Sequence, residues 1–385
     1  MRFLHTSDWH VGKVLKGHSR LAEQRAVLGE IVQVARDREV DAVLVAGDLY
    51  ETAAPTAEAQ ELVVRTLLAL RGTGAAVIAI AGNHDHQPTF DAYRPLMSAV
   101  DIMLVGQIRR PDDGGVVSFR ARSSGEPVNV AVLPFLSQRY AVRAAQLLAH
   151  TPAENAASYD QMVRDVVGAL TGGFGAGSVN VLLAHLTVTG AAVDGGGERA
   201  AQSIFDYHVP ATAFPADLHY VALGHLHRRQ SVPAPCPVHY CGSPLRVDFG
   251  EVDSSPAVLV VDAAPDVPAR VTEVPVAAAR RLRTMRGTLA GLAELASTAD
   301  PDDLLKVIVR EPARAGLREA VQDLLPGALD VRIDPEFATR RPETPRAATD
   351  RAPADLLRDY LRTRDVRDPR VEALFARLYE QAATD

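Results

Sequence analysis

The sequence predicts an α/β layered domain, and two regularities of the chain indicate this fold. First, short runs of apolar and β-branched residues recur, each of a length typical of a buried strand: MRFLHTS at 1–7, DAVLVAGD at 41–48, AAVIAIAGN at 75–83, VNVAVLP at 128–134, VNVLLAH at 179–185 and HYVALGH at 219–225. Second, apolar residues recur at three- and four-residue spacing over 19–38 and 56–71, as in amphipathic helices. Strands that alternate with helices are typical of layered α/β proteins.

The composition narrows the class of protein. The chain has 385 residues, of which 47% are hydrophobic and 23% charged, which predicts a sizeable core and more than one domain. We expect no signal peptide and no membrane span. The two cysteines, Cys236 and Cys241, make no disulfide framework and fit a cytoplasmic protein. His239 lies between the two cysteines in the sequence, so a zinc site that includes all three residues is the alternative to two ordinary free thiols. The net charge of −7 excludes a uniformly basic coat and leaves local basic patches open.

The domain organisation is predicted from changes in pattern. The strand-like run PAVLVVDAA closes a first domain over 1–264. A small β/α set at 268–334 is expected to form its own packed layer, and 335–350, rich in Pro, Thr, Ala and Arg, is predicted to be a linker. Residues 351–385 return to helical spacing. They form either a helical hairpin folded back on the body or an element that binds a partner.

Polar residues follow the predicted strands at their carboxyl ends, where α/β sheets bind ligands. These residues are Asp8, His10, Asp48, Asn83, His84, His185, His225 and His227. In extended backbone, residues i and i+2 project to the same side. The sequence therefore predicts that Asp8 acts with His10, and that His225 acts with His227.

The residue types predict a pair of metal ions. Imidazole, carboxylate and amide donors suit manganese, iron or zinc better than calcium. Seven candidate ligands are too many for one tetrahedral ion and fit two ions that share a carboxylate, for which we expect Asp48. Paired metals of this kind act on phosphate esters.

The motif order D-x-H, G-D, G-N-H-D, H, G-H-x-H resembles that of the calcineurin-like metallophosphoesterases over residues 1–262. Within that superfamily, FLHTSDWHVGK, AGDLYETAAP, LLAHLTVTGA, YVALGHLHRRQ and YCGSPLRVDFGE resemble the SbcD/Mre-type nuclease family. The resemblance implies a four-layer α/β/β/α sandwich with a smaller α/β capping domain that binds DNA and a C-terminal helical tail. It also implies a homodimer that acts on DNA ends with an SbcC-type SMC-like ATPase, which the tail binds.

The resemblance assigns roles to the site residues. Asp8, His10, Asp48 and His227 would hold one metal, and Asp48, Asn83, His185 and His225 the other; manganese is expected first, with magnesium, iron or zinc as alternatives. His84 would stabilise the transition state or protonate the leaving 3′ oxygen, and Asp85 would orient its ring. Glu51 departs from the family, which commonly has Asp or His there, so its role in exonuclease action is open.

The expected activity is two-metal-dependent DNA hydrolysis, as a double-strand exonuclease and a single-strand or hairpin endonuclease in the cytoplasm, near the nucleoid. Six cationic residues are candidates for contacts to the DNA backbone: Lys13, Lys16, Arg139, Arg228, Arg229 and Arg246. Two alternatives stay open at this point. One is a phosphodiesterase that acts on small molecules, and the other is a catalytically silent scaffold that tethers DNA ends.

Overall fold

The structure is a computed structural model that describes residues 1–136, 152–192 and 208–337, together with short pieces at 357–358, 360–362, 370–371 and 374–375. Contacts between residues divide the chain into two units, 1–334 and 335–385. Arg139 and most of the tail lie outside the described residues.

The strands of the described chain are β1 (Arg2–Thr6), β2 (Val14–Leu15), β3 (His18–Ser19), β4 (Ala42–Val45), β5 (Ala76–Ile80), β6 (Ile102–Val105), β7 (Val116–Arg120), β8 (Pro127–Leu133), β9 (Val179–His185), β10 (Thr187–Val188), β11 (His208–Val209), β12 (Tyr220–Gly224), β13 (Gln230–Val232), β14 (Val238–Tyr240), β15 (Ala257–Ala264), β16 (Val267–Pro275), β17 (Leu282–Gly287), β18 (Leu304–Val309) and β19 (Ala328–Ile333).

The α-helices are α1 (Leu21–Asp37), α2 (Ala57–Arg71), α3 (Gln87–Ser98), α4 (Pro152–Thr171), α5 (Leu289–Ala296) and α6 (Leu317–Leu324). Helix α2 begins where it does because the Thr56 side chain accepts a hydrogen bond from the Ala59 N–H, at 3.3 Å. Among the described residues, no helix combines the length and the apolar character that a membrane span needs.

Two six-stranded sheets carry the first unit, in the orders β16-β15-β1-β4-β5-β6 and β13-β14-β12-β9-β8-β7. In each sheet four strands are parallel: β1, β4, β5 and β6 in one, and β14, β12, β9 and β8 in the other. Parallel strands are buried on both faces, which explains why they read as continuous apolar runs. Their carboxyl ends lie at a common edge of each sheet.

Four layers result from the way these sheets pack. Phe3 and Leu44 of one sheet share a buried cluster with Val130 and Leu183 of the other, so the two inner faces lie against each other. Helices α1, α2 and α3 cover the outer face of the first sheet, and α4 covers the outer face of the second. This arrangement confirms the predicted α/β/β/α sandwich. Cys236 and Cys241 are free, buried thiols within it.

A separate three-stranded parallel sheet, β17-β18-β19, packs against α5 and α6 around Val307, Val309 and Val321. The sequence assigned 268–275 to this small layer, and the structure corrects that assignment. Strand β16 pairs antiparallel with β15 from Ala257 with Pro275 to Ala264 with Val267, so it extends the first large sheet. The small layer therefore begins after this strand. The other domain boundaries stay predictions.

The second unit is described only in pieces. Backbone at 357–358, 360–362, 370–371 and 374–375 is helical, as the spacing of apolar residues predicts for this region. Leu361 is buried, whereas Tyr360 and Leu374 are exposed. The linker prediction for 335–350 lies almost entirely outside the described residues.

Candidate metal centre

The candidate ligands lie at the carboxyl ends of strands from both large sheets. Asp8 follows β1, Asp48 follows β4 and Asn83 follows β5, whereas His185 ends β9 and His225 follows β12. The imidazole of His185 joins the two sheets directly, because its Nδ1 lies 2.7 Å from the carbonyl oxygen of Ala46. The sandwich therefore brings strand ends from two sheets to one site.

The backbone at these positions is not extended, and here the structure corrects the prediction from sequence. Asp8, His10, Asp48 and His225 have φ of 52°, 46°, 51° and 99°. These positive φ values cost a residue with a Cβ about 1–3 kcal/mol, and residues strained in this way cluster at functional sites. The alternation of an extended strand therefore does not explain why Asp8 and His10, or His225 and His227, lie near each other.

The first cluster contains Asp8, His10 and His227, whose ligand atoms all lie within 4.8 Å of one another. Nε2 of His10 lies 3.0 Å from Nε2 of His227. On the far side of each ring, Nδ1 of His10 contacts Glu51 at 3.0 Å and Nδ1 of His227 contacts Glu251 at 2.7 Å. A carboxylate accepts hydrogen bonds, so each Nδ1 carries the proton and each Nε2 carries a lone pair. Two lone pairs thus face each other, an arrangement that a cation stabilises.

The second cluster contains Asn83, His185 and His225. Oδ1 of Asn83 lies 2.9 Å from Nε2 of His185 and 2.8 Å from Nδ1 of His225. Because His185 donates its Nδ1 proton to the Ala46 carbonyl, its Nε2 carries a lone pair that faces the amide oxygen of Asn83. Neither atom can donate a hydrogen bond to the other. The nitrogen and oxygen atoms of both clusters are therefore suited to coordinating divalent cations.

Asp48 lies between the clusters. Its Oδ2 is 3.8 Å from Nε2 of His10 and 3.5 Å from Nε2 of His185. The side chain is almost completely buried, as expected of a carboxylate that bridges two cations.

Burial sets the charge state of the imidazoles. It lowers the pKa of His225 to about 3, and it also lowers the pKa of His10. Both rings are therefore neutral near pH 7, which is the form that binds metal.

His84 lies at the edge of the site and is half-buried. Its backbone N–H donates to Oδ1 of Asp48 at 2.8 Å, and its Nδ1 lies 2.8 Å from the carbonyl oxygen of Glu51. Its ring meets that of His10 edge to face, with 4.8 Å between the centroids. The ring is thus oriented by a backbone carbonyl through Nδ1, and Nε2 is the nitrogen that can serve a substrate.

Asp85 does not make the contact that was expected of it, whereas Glu51, whose role was left open, contacts a histidine and a lysine. The Asp85 carboxylate accepts hydrogen bonds from the backbone N–H groups of Leu49, Tyr50 and Gly82, at 2.9 to 3.2 Å, so it ties two loops together instead of orienting His84. Burial and the charge of Asp48 raise the pKa of Asp85 to about 7. Glu51 bridges Nδ1 of His10 and, at 2.6 Å, Nζ of Lys13.

The candidate DNA contacts differ in exposure and in their protein contacts. Lys16 and Arg228 have exposed side chains. Arg229 forms an ion pair with Glu273 at 2.8 Å and donates to the Ser255 carbonyl, while Arg246 donates to the Ser254 carbonyl at 2.6 Å. Protein groups thus engage Arg229 and Arg246, and Lys13 is paired with Glu51.

Two residues of the site were not predicted from the sequence. Glu251 holds the ring of His227, and Phe135 stacks on His225 with 6.2 Å between ring centroids and meets His185 edge to face at 6.1 Å. Glu251 stands in the quoted motif YCGSPLRVDFGE, but no spacing rule connects it to a histidine 24 residues earlier. Phe135 follows a predicted strand, the one signal that could have indicated it.

Comparisons with known proteins agree with this geometry. The model of the calcineurin-like phosphoesterase family matches residues 1–229. Three similar proteins are named as the SbcD component of the nuclease SbcCD. The one from Bacillus subtilis (strain 168) is 35% identical over 304 residues, which is 78% of this chain and 75% of the relative. Those from Rhodobacter capsulatus and Escherichia coli (strain K12) are 32% and 31% identical, covering 69% and 76% of this chain and 67% and 72% of the relatives.

Proposed function

The chain belongs to the calcineurin-like phosphoesterase family and, within it, to the SbcD nucleases, and from this we propose that it is a two-metal-dependent DNA nuclease. One observation supports this most strongly. Two clusters of candidate ligands, buried except for the half-buried Asn83, lie on either side of Asp48, and in each cluster a lone pair of one ligand faces that of another. A half-buried histidine, His84, stands beside them with its Nδ1 held by a backbone carbonyl.

The ligand assignment keeps the two clusters distinct. Asp8, His10 and His227 would hold one cation, Asn83, His185 and His225 would hold the other, and Asp48 would contribute to both. Divalent cations held there would polarise the phosphodiester and make a nucleophilic water available near neutral pH. Mixed nitrogen and oxygen donors suit manganese, iron or zinc, and we propose manganese first, with magnesium, iron or zinc as alternatives.

The residues around the ligands position the reacting groups. Glu51 and Glu251 fix the tautomers of His10 and His227 so that Nε2 points inward. His84 stabilises the transition state or, as an imidazolium whose Nδ1–H donates to the Glu51 carbonyl, transfers its Nε2 proton to the leaving 3′ oxygen and is left neutral. Phe135 covers the rings of His225 and His185 and limits the access of water to the second cluster.

We extend the proposal to the substrate and the partner. The chain cleaves DNA ends, as a double-strand exonuclease and a single-strand or hairpin endonuclease, in the cytoplasm at the nucleoid. The tail at 351–385 binds an SbcC-type SMC-like ATPase, and the small layer caps the DNA, with Lys16 and Arg228 near its backbone.

A homodimer is the last part of the proposal. Leu68 of α2, Leu96 of α3 and Val100 just after α3 are exposed by 42%, 69% and 41%. Both helices follow parallel strands of one sheet and therefore run in the same direction. The side chains of Gln60 in α2 and Tyr93 in α3 contact each other. Leu68 follows Gln60 by eight residues and Val100 follows Tyr93 by seven, so Leu68 and Val100 lie at a similar distance along the two helix axes. This exposed apolar surface is suited to a second copy of the chain.

The proposed activity is tested with the purified full chain and Mn²⁺. Cleavage of linear duplex DNA is expected, and Asp48→Asn is expected to abolish it. Hydrolysis of a small chromogenic diester with intact DNA would favour the small-molecule phosphodiesterase instead. DNA binding without cleavage of either substrate would favour the silent scaffold.

Deletion of 351–385 should abolish co-purification with the ATPase, whereas retained binding would refute the assignment of the tail.

A further inference from the structure

A cavity of about 320 Å³ is lined by residues that lie close in the chain to Glu51 and His84. Its walls include Tyr50, Phe90 and Tyr93, with Pro55, Gln60 and His86 around them. The volume is at the lower end of the roughly 300–1,000 Å³ found for small-ligand sites. The cavity is thus large enough for one flat aromatic group.

Backbone contacts hold the inner wall of the cavity rigidly. The Tyr50 N–H donates to Asp85 at 3.0 Å, and Val11 forms a parallel bridge with Tyr50. The rings of Tyr50 and Phe90 are buried and meet edge to face, with 6.4 Å between their centroids. This wall is therefore preformed.

Polar groups at the rim have hydrogen-bonding capacity to spare. Gln60 donates one N–H to the Pro55 carbonyl at 3.1 Å and accepts from the Tyr93 hydroxyl at 3.2 Å. A primary amide has a second N–H and a second lone pair, so both a donor and an acceptor of Gln60 remain. The described lining residues include no Arg, Lys, Asp or Glu, which favours a neutral aromatic occupant over a phosphate.

The cavity adjoins the residue that we assign as the general acid. Tyr50 precedes Glu51, whose carbonyl oxygen contacts Nδ1 of His84 at 2.8 Å, and His86 follows His84 by two residues. A nucleotide attached to the phosphate at the metal centre would therefore have its base within reach of the cavity.

We propose that this cavity binds the unstacked nucleobase of the nucleotide next to the scissile phosphate. The proposal rests on the proposed nuclease function and adds a substrate preference to it. A base inside a duplex is stacked on both faces and cannot enter the cavity, so the site selects an unpaired or extruded nucleotide. Aromatic walls bind the face of any base, and recognition is consequently independent of sequence.

The test uses the wild-type chain with Mn²⁺ and single-stranded oligonucleotides that carry one abasic nucleotide at successive positions. Cleavage rates at each bond are read on sequencing gels. We expect the loss of the base at one position next to the cleaved bond to lower kcat/KM by about 5- to 150-fold, the range found for one stacked base. Equal rates at all positions would overturn the proposal.

Variants test the contact itself through the ratio of the rates on intact and abasic DNA. Tyr93→Ala should bring this ratio close to one, and Tyr93→Phe, which keeps the ring, should retain most of it. Arg65→Ala, an exposed residue of α2 outside the cavity, serves as the control and should keep the wild-type ratio. A Tyr93→Ala variant that slows both substrates equally would refute the base contact. Failure to cut any DNA, with intact hydrolysis of the chromogenic diester, would instead refute the proposed nuclease function.

Discussion

Removal of the Glu251 carboxylate is expected to weaken binding of the metal held by His227, although Glu251 itself touches no metal in our assignment. The perturbation is Glu251→Ala, with Glu251→Gln as the conservative variant. Oε1 of Glu251 lies 2.7 Å from Nδ1 of His227, and Oε2 accepts from the Val247 N–H at 2.8 Å. The residue is only 2% exposed, so water replaces the lost acceptor poorly.

The magnitude follows from these contacts. Loss of a carboxylate that orients a ligating histidine lowers metal affinity by roughly 10- to 100-fold, or about 1.4–2.7 kcal/mol. Glu251→Gln keeps an oxygen acceptor and should fall between the wild type and Glu251→Ala. Glu51→Ala removes the equivalent contact to His10, but the Glu51 side chain is 22% exposed and shared with Lys13. We therefore expect a smaller loss for Glu51→Ala.

The assay is calorimetric titration of the metal-free chain with Mn²⁺, with thermal unfolding measured in parallel. Parallel unfolding data are needed because Phe249, in the same turn as Glu251, packs against Leu282 and Leu304 of the small layer. Glu61→Ala, which removes an exposed carboxylate on α2, is the control and should leave affinity unchanged. A folded Glu251→Ala chain that binds Mn²⁺ as tightly as the wild type would refute the reasoning.

Three further substitutions test the assigned catalytic histidine, the close contact between the two large sheets at Gly224, and a buried ion pair. His84→Gln should lower DNA cleavage by about 10²- to 10⁴-fold while calorimetry still detects Mn²⁺ binding; an unchanged rate would remove the assigned acid. Gly224→Ala would place a Cβ against the Ala46 carbonyl oxygen, and we expect a loss of about 1–3 kcal/mol in thermal unfolding. Arg20→Met leaves the carboxylate of Glu23 buried without its guanidinium partner, 2.5 Å away. Denaturant unfolding should show a loss of about 3–5 kcal/mol, and a neutral result would contradict the burial of this pair.

The positions of the ligands were predictable from sequence because of a general property of parallel sheets. Apolar runs indicate the strands, and the polar residue after each run, such as Asp48 after β4, must lie at the edge where neighbouring strands also end. The structure brings together all eight residues chosen in this way, the seven candidate ligands and His84 at the edge of the site. The alternation of apolar runs with helical periodicity likewise predicted a layered α/β domain, and the fully buried β4 is one of the strands so predicted. The four-layer arrangement itself was implied by the family resemblance.

Long-range contacts were not predictable from one sequence. Glu251 reaches His227 through a short turn, and Phe135 reaches His185 from a neighbouring strand end, and neither pair has a characteristic spacing. Strand β16 was misassigned for a related reason. Its alternating pattern fits an edge strand of the first large sheet and equally an edge strand of the small three-stranded sheet. Only the pairing with β15 shows that it joins the large sheet.

The assumption of extended strands placed the correct residues together, but the structure gives a different cause. The ligands lie together because their backbone is strained, not because it is extended. In an extended chain Asp8 and His10 would share one face of the sheet, but the ligands must converge from two sheets onto one point. A left-handed φ at Asp8, His10 and Asp48 turns each loop back toward that point, and backbone hydrogen bonds hold it there: Asp8 N–H to Gly47 at 2.9 Å and His10 N–H to Asp48 at 3.0 Å. Glycine would relieve the strain at any of these positions but would remove a ligand. The chain therefore retains strain, about 1–3 kcal/mol for each residue, where metal binding can offset it.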